Sequence, residues 1–175
     1  MSEYLTRKIS IEKDAWATPA HIVEWIRDTL NWPAFDFDPC AMPDTAKATS
    51  YITPANGDGL RDAWSGSTVW LNPPYSQQGK WLARAAMESA MHRKRIAELV
   101  LPSFDAAYWR PTVWHRAARE VWLIEGRIAF ECNGKAMPGG TVKSCVVVYD
   151  GAAINDEPRV RFLAAPRVTS QHALL

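Results

Sequence analysis

The sequence predicts an α/β fold built on a mostly parallel sheet with an antiparallel C-terminal edge. Three observations carry this. Short apolar runs alternate with stretches of helical periodicity through most of the chain. Several of those runs stop at a proline, as at Pro39, Pro73 and Pro102, which ends a strand because proline has no N–H and a fixed φ. The last apolar runs, near residues 128–130 and 144–149, are joined by a Gly-rich loop too short for a crossover helix, so they pair antiparallel.

Taken in order, residues 1–15 read as a polar arm. Thr18-Pro19 opens a helix, with Thr as N-cap and Pro at the first position, and Ile22, Val23, Trp25, Ile26 and Leu30 follow at helical spacing. Asn31-Trp32-Pro33 ends it. Residues 34–38 form a short strand broken by Pro39, and residues 42–56 read mostly as loop. Residues 68–71 are a buried strand. Residues 77–92 form a helix whose apolar side holds Trp81, Leu82, Ala85, Ala86 and Ala90. A buried strand spans residues 96–101, a helix residues 108–118 after Pro111, and a strand residues 121–124. Residues 151–175 show weak periodicity. The domain reading is an arm over 1–15, one catalytic domain over 16–150 and an extension over 151–175.

A chain of 175 residues is long enough for one domain with a real core. The net charge of +1 hides an asymmetry. Acids gather around Asp36, Asp38, Asp44 and Asp58, whereas Lys80, Arg84, Arg93, Lys94, Arg95, Arg110, Arg116 and Arg119 crowd the next segment. Such a region can meet phosphates or be a solvated helix face. Three cysteines without CxxC pairing and four histidines without HxxxH spacing exclude a disulfide framework and give no support for a metal centre. The polar start and the lack of a long apolar run point to a cytoplasmic protein that does not enter a membrane.

The run VWLNPPYS, residues 69–76, is the specific motif. Two prolines hold Asn72 and Tyr75 in a stiff turn at a strand's C-terminal end, where ligands bind in open α/β sheets. With Trp16-Ala17-Thr18-Pro19, Asp38-Pro39-Cys40-Ala41, Gly57-Asp58-Gly59-Leu60 and Gly126-Arg127-Ile128-Ala129-Phe130, the order of motifs resembles the phage-type (Dam-like) DNA N6-adenine methyltransferases. The resemblance runs from about residue 14 to residue 150. It implies a compressed Rossmann-like fold, S-adenosylmethionine as methyl donor, double-stranded DNA as partner, no metal, and GATC as recognition sequence.

It also implies roles. Asn72, Pro73, Pro74 and Tyr75 are catalytic: the Asn72 side-chain oxygen and the Pro73 carbonyl draw on the amino hydrogens of adenine, whose lone pair is delocalised into the ring, and Tyr75 stacks on the base. That base must leave the duplex at a cost of a few kcal/mol. Trp16, Thr18, Pro19, Asp38, Pro39, Cys40, Ala41, Asp58, Gly59, Leu60 and Asn72 surround the cofactor. Asp38 meets its methionine end, Asp58 its adenine amine and Thr18 its carboxylate, while Trp16 either covers it or joins the core. Asp44 is a candidate for the ribose, because the usual glycine-rich loop is missing after Ala41. DNA contacts fall to Tyr108, Trp109, Arg110, His115 and Arg116, where aromatics interleave with basic residues, and to Arg127, Lys135 and Lys143. Phe130 borders the base pocket or is a core residue. The rival readings are cytosine N4, an RNA base or a protein glutamine as substrate, or a DNA-binding relative without catalysis.

Overall fold

The computed structural model describes residues 16–115, 117–132, 134–137, 142–151 and 157–166. Helix α1 (Ala20–Thr29) is followed by β1 (Phe37–Asp38), β2 (Ser50–Tyr51) and β3 (Thr68–Leu71). After a 3₁₀ turn over Tyr75–Gln77 come α2 (Gln78–His92) and β4 (Arg95–Val100). A single wide helical turn over Arg110–Trp114 precedes β5 (Glu120–Glu125), the small hairpin β6 (Glu131–Cys132) and β7 (Lys135–Ala136), β8 (Cys145–Asp150) and β9 (Arg159–Ala164).

Seven strands make one sheet in the order β2-β1-β3-β4-β8-β5-β9. The pairs β1/β2, β1/β3, β3/β4 and β5/β9 are parallel, and β8 is antiparallel to both β4 and β5. The antiparallel strand comes from the C-terminal part, as its apolar run suggests. Its place is inside the sheet, because all six of its residues are buried and a strand apolar on both faces needs cover on both sides. The edge itself is β9, within the stretch read as weakly periodic.

The buried strands alternate between two helical layers. Val69, Leu71, Ile96, Val100, Val121 and Val147 face α2 together with Trp81, Leu82 and Trp109. Trp70, Ala97, Leu99, Trp122, Val146 and Val148 face α1 with Ile22, Val23 and Ile26. The result is a three-layer α/β/α sandwich. The helix and strand bounds depart from the sequence reading in instructive ways. Pro19, not Thr18, is the N-cap of α1, and no side chain caps that end. On α2 the buried side continues through Glu88 and Ser89, leaving Ala90 exposed. Residues 42–56 contribute the edge strand β2, too short for periodicity to reveal. Residues 128–130 form no strand; Ile128 makes an isolated bridge with Val142 instead. Where a helix was expected over residues 108–118, the described residues hold only the wide turn Arg110–Trp114, closed by i→i+5 bonds such as His115 N–H to the Arg110 carbonyl at 2.9 Å. Among the described residues no helix is long and apolar enough to cross a membrane.

Candidate active site

The parallel strands β1 and β3 end at the same edge of the sheet, and a cavity of about 570 Å³ lies there. Chain segments far apart in sequence line it: Trp16-Ala17-Thr18, residues 38–42, Thr45 and Lys47, residues 52–54, residues 57–59, Trp70, Asn72, Pro74 and Trp81.

Asp38, the last residue of β1, is 3% exposed. The backbone N–H groups of Cys40 and Lys47 donate to its two carboxylate oxygens at 3.2 and 3.1 Å. Burial raises its pKa to about 6, against the pull of those two donors and of the Lys47 charge. The turn that carries Asp58 reaches the same cavity through a close backbone approach. A Cβ on Gly59 would collide with the Pro39 carbonyl and come within 2.8 Å of the Trp81 ring. Only glycine permits that contact, and Trp64 Nε1 fixes the turn by donating to the Gly59 carbonyl at 2.7 Å. Asp58 itself is half exposed; its carboxylate accepts from the Leu60 N–H at 3.0 Å and sits 3.4 Å from Arg61.

Asn72 follows β3 directly. Its Nδ2 donates to the Trp16 carbonyl at 3.0 Å. A carbonyl can only accept, so this bond fixes which end of the amide faces where. Oδ1 is left buried with no hydrogen-bond partner. Thr18, 1% exposed, leaves its hydroxyl equally unpartnered at the cavity wall. Trp16 is held in place by two backbone bonds between Ala17 and Glu131, at 2.8 and 2.9 Å, and by its ring, stacked on Phe130 at 6.2 Å. Tyr75 meets the same Phe130 ring edge-on at 6.2 Å. Burial drives the Tyr75 phenol pKa up, the nearby Ser144 hydroxyl opposing it, and neither hydroxyl closes a hydrogen bond.

The structure thus brings Trp16, Thr18, Asp38, Pro39, Cys40, Ala41, Asp58, Gly59, Asn72 and Pro74 to one cavity. Pro73 and Tyr75 adjoin it without lining it. Three expected cofactor residues stand outside the cavity wall. Leu60 turns into the core on the α2 side, and Pro19 lines a separate cleft of about 690 Å³ with Arg127 and Glu131. The ribose candidate Asp44 is exposed and outside the cavity wall, where Thr45, Lys47 and Thr53 stand instead. Lys47, Ile52, Trp70 and Trp81 were not legible as lining residues, since nothing in their local sequence separates a cavity wall from ordinary core.

The basic residues divide. Arg84 donates to the Leu60 and Asp62 carbonyls and pairs with Glu88, Lys94 donates to Gly66, and Arg119 pairs with Asp150. These are internal ties rather than phosphate contacts. Trp109 is corrected outright: fully buried, it packs edge-on against Phe104 at 5.0 Å and beside Trp114, as an amphipathic segment buries its apolar side. Tyr108 rests on Gly79 and accepts from Gln78 Nε2. Arg110 is exposed and donates to His115. Arg127, Lys135 and Lys143 are exposed, and Arg116 lies outside the described residues. Among the described residues no cluster of His, Cys, Asp or Glu could hold a metal ion.

The family model of the DNA N-6-adenine-methyltransferases (Dam) matches residues 6–162. The chain belongs to that family. A DNA N-6-adenine-methyltransferase of Haemophilus phage HP1 is 32% identical over 122 residues, covering 70% of this chain and 69% of its own length. A DNA N-6-adenine-methyltransferase of Escherichia phage T1 is 23% identical over 152 residues, covering 78% of this chain and 62% of its own. A solved structure of a predicted O-methyltransferase from Agrobacterium tumefaciens aligns over 67% of this chain and 50% of its own, at 20% identity and a TM-score of 0.35. For this Dam-family chain the fold assignment therefore rests on its own sheet order.

Proposed function

We propose that this Dam-family chain transfers a methyl group from S-adenosylmethionine to N6 of an adenine turned out of double-stranded DNA. The cavity suits that cofactor. It offers a buried carboxylate for an amine, an orphaned hydroxyl for a carboxylate, and tryptophan faces beside a half-exposed acid for a purine. When bound, S-adenosylmethionine supplies a methyl group made electrophilic by its sulfonium. Asp38 would hold the methionine amine, Thr18 the methionine carboxylate and Asp58 the adenine amine.

The single observation that carries the reading is the Asn72 amide. Its nitrogen is committed to the Trp16 carbonyl, and its oxygen is buried and unpaired. An unpaired buried acceptor is costly, about 1–3 kcal/mol. Here it is an acceptor oriented in advance for an N–H group that arrives with the substrate. Accepting one amino hydrogen, with the Pro73 carbonyl taking the other, turns the nitrogen lone pair out of conjugation and toward the methyl. The amino proton is released after transfer. Pro73 and Pro74 remove the backbone freedom that would blur this geometry, and stacking on Tyr75 offsets the cost of unpairing by about 1–3 kcal/mol. Exposed Arg127, Lys135 and Lys143 are the cations offered to the phosphates.

The test uses tritium-labelled S-adenosylmethionine and unmethylated duplex DNA, digested to nucleosides after incubation. Label in N6-methyladenosine is the expected result. Label in N4-methylcytosine would keep the clamp and change the base. Absence of label from DNA, with cofactor binding intact, would overturn the reading in favour of an RNA or protein substrate.

A further inference from the structure

We propose that Ser144 is a positioning residue for Tyr75, holding the phenol hydroxyl so that the ring keeps the tilt needed against the target base. The proposal rests on the functional reading above. It starts from two orphans. The Tyr75 and Ser144 hydroxyls are both buried and close enough for Ser144 to oppose the rise of the Tyr75 pKa, yet neither makes a hydrogen bond of ordinary geometry. Ser144 is 3% exposed, so bulk water does not serve it. Each hydroxyl can donate and accept, so a small rotation of either side chain satisfies both.

The two ends of Tyr75 have different needs. Stacking uses the ring face and leaves the hydroxyl free. On its inner side the ring touches Phe130 edge-on, at an interplanar angle of 82°. An aromatic edge contact tolerates sliding and tilting far better than a hydrogen bond does. A hydroxyl at the far end of the ring supplies the direction that Phe130 does not.

Ser144 is also well placed to be rigid. It precedes β8, which is buried throughout and paired on both sides. Because β8 runs antiparallel, its first residues sit at the edge where β3 and β4 end. The Ser144 carbonyl accepts from the Ile124 N–H at 3.4 Å, tying it to β5. The exposed Lys143 is its chain neighbour, so a phosphate held there would bear on the residue that steadies the base clamp.

The experiment is a double-mutant cycle of Ser144→Ala and Tyr75→Phe, with Ser144→Thr as conservative control. Single-turnover methylation of a duplex and the dissociation constant of S-adenosylhomocysteine are measured for each protein. Ser144→Ala should slow transfer about five- to tenfold, the scale of one lost hydrogen bond, with cofactor affinity unchanged. Ser144→Thr should restore the rate. In the Tyr75→Phe background Ser144→Ala should cost nothing further. An equal loss in both backgrounds, or no loss in either, would overturn the proposal. Urea unfolding of the four proteins of the cycle reads the contact without DNA. Non-additive midpoints support the hydroxyl pair and strictly additive ones overturn it, even if no protein in the set methylated DNA and the functional reading itself failed.

Discussion

The two halves of the sheet do different work. The half built from β1 to β4 gathers four sequence-distant segments onto one cavity and leaves selected groups unpaired there: Thr18 Oγ1 and Asn72 Oδ1. Around the other half stand three exposed cations, Arg127 and Lys143 outside the strands and Lys135 in the small hairpin strand β7. Preorganised, dehydrated groups suit chemistry, because nothing has to move when charge develops. Dispersed, solvated cations suit a polyanion, because each acts through screened attraction and counterion release. The first half should therefore respond steeply to single substitutions and the second shallowly.

The largest expected effect is at Asn72. Removing a preorganised transition-state hydrogen-bonding group costs about 10²–10³ in kcat. Asn72→Ala should lose that much turnover while S-adenosylhomocysteine affinity, by calorimetry, changes little. Next comes Asp38→Asn, expected to weaken cofactor binding about 10- to 100-fold, the range for losing a buried charged partner. Its pH dependence has a definite sign. Burial raises the Asp38 pKa to about 6, so the free protein loses the carboxylate charge as pH falls through that value. Affinity for the cationic amine should be full above pH 6 and decline below it, and Asp38→Asn should flatten that profile. A wild-type profile flat from pH 7 to pH 5 would detach Asp38 from the amine.

In the other half, Lys135→Ala and Lys143→Ala should each raise the Michaelis constant for DNA a few-fold. Each should reduce the salt slope of binding by about 0.9, one phosphate contact's worth. A slope unchanged in both would remove these two lysines from the DNA surface.

The smallest effect probes a contrast within the core. Asp38 and Glu98 are both buried acids on sheet strands, but Asp38 has two N–H donors and a cavity beside it. Glu98 is fully buried in β4 with both oxygens unpartnered. Desolvation alone holds its pKa well above the ordinary 4.5. The folded chain keeps a proton that the unfolded chain releases, so burial of Glu98 costs least at low pH, and its cost grows as pH rises above 4.5. Glu98→Gln should raise the melting temperature at pH 8 by a few degrees, at about 2–4 °C per kcal/mol for a chain of this size. It should have little effect at pH 5.

The sequence was most legible where geometry is local. Residues 68–71 were read as a strand to the residue, because a buried four-residue run and two prolines leave no other option. Other features depend on partners far away. Ser50–Tyr51 is an exposed two-residue strand that exists through pairing with β1. Trp109 and Arg110 are neighbours of opposite fate, and no pattern of aromatics and cations tells which side of a wide turn faces the core. The Arg159–Ala164 strand alternates basic and apolar residues over its first four positions, but the run is short and sits on the sheet's edge with Val160 and Phe162 exposed, so no buried face marks it. The Asn72–Trp16 bond spans two motifs that sequence places apart, and its direction is a property of the fold alone.

That bond gives the most direct test. Asn72→Asp keeps an acceptor oxygen but removes the N–H that donates to the Trp16 carbonyl, leaving a carboxylate against a carbonyl. Single-turnover methylation by this variant, with S-adenosylhomocysteine affinity measured alongside, separates acceptor from orientation. The account predicts a loss close to that of Asn72→Ala with cofactor binding retained. Transfer near the wild-type rate would mean that any acceptor at position 72 suffices, and that the Trp16 carbonyl does not set the catalytic geometry.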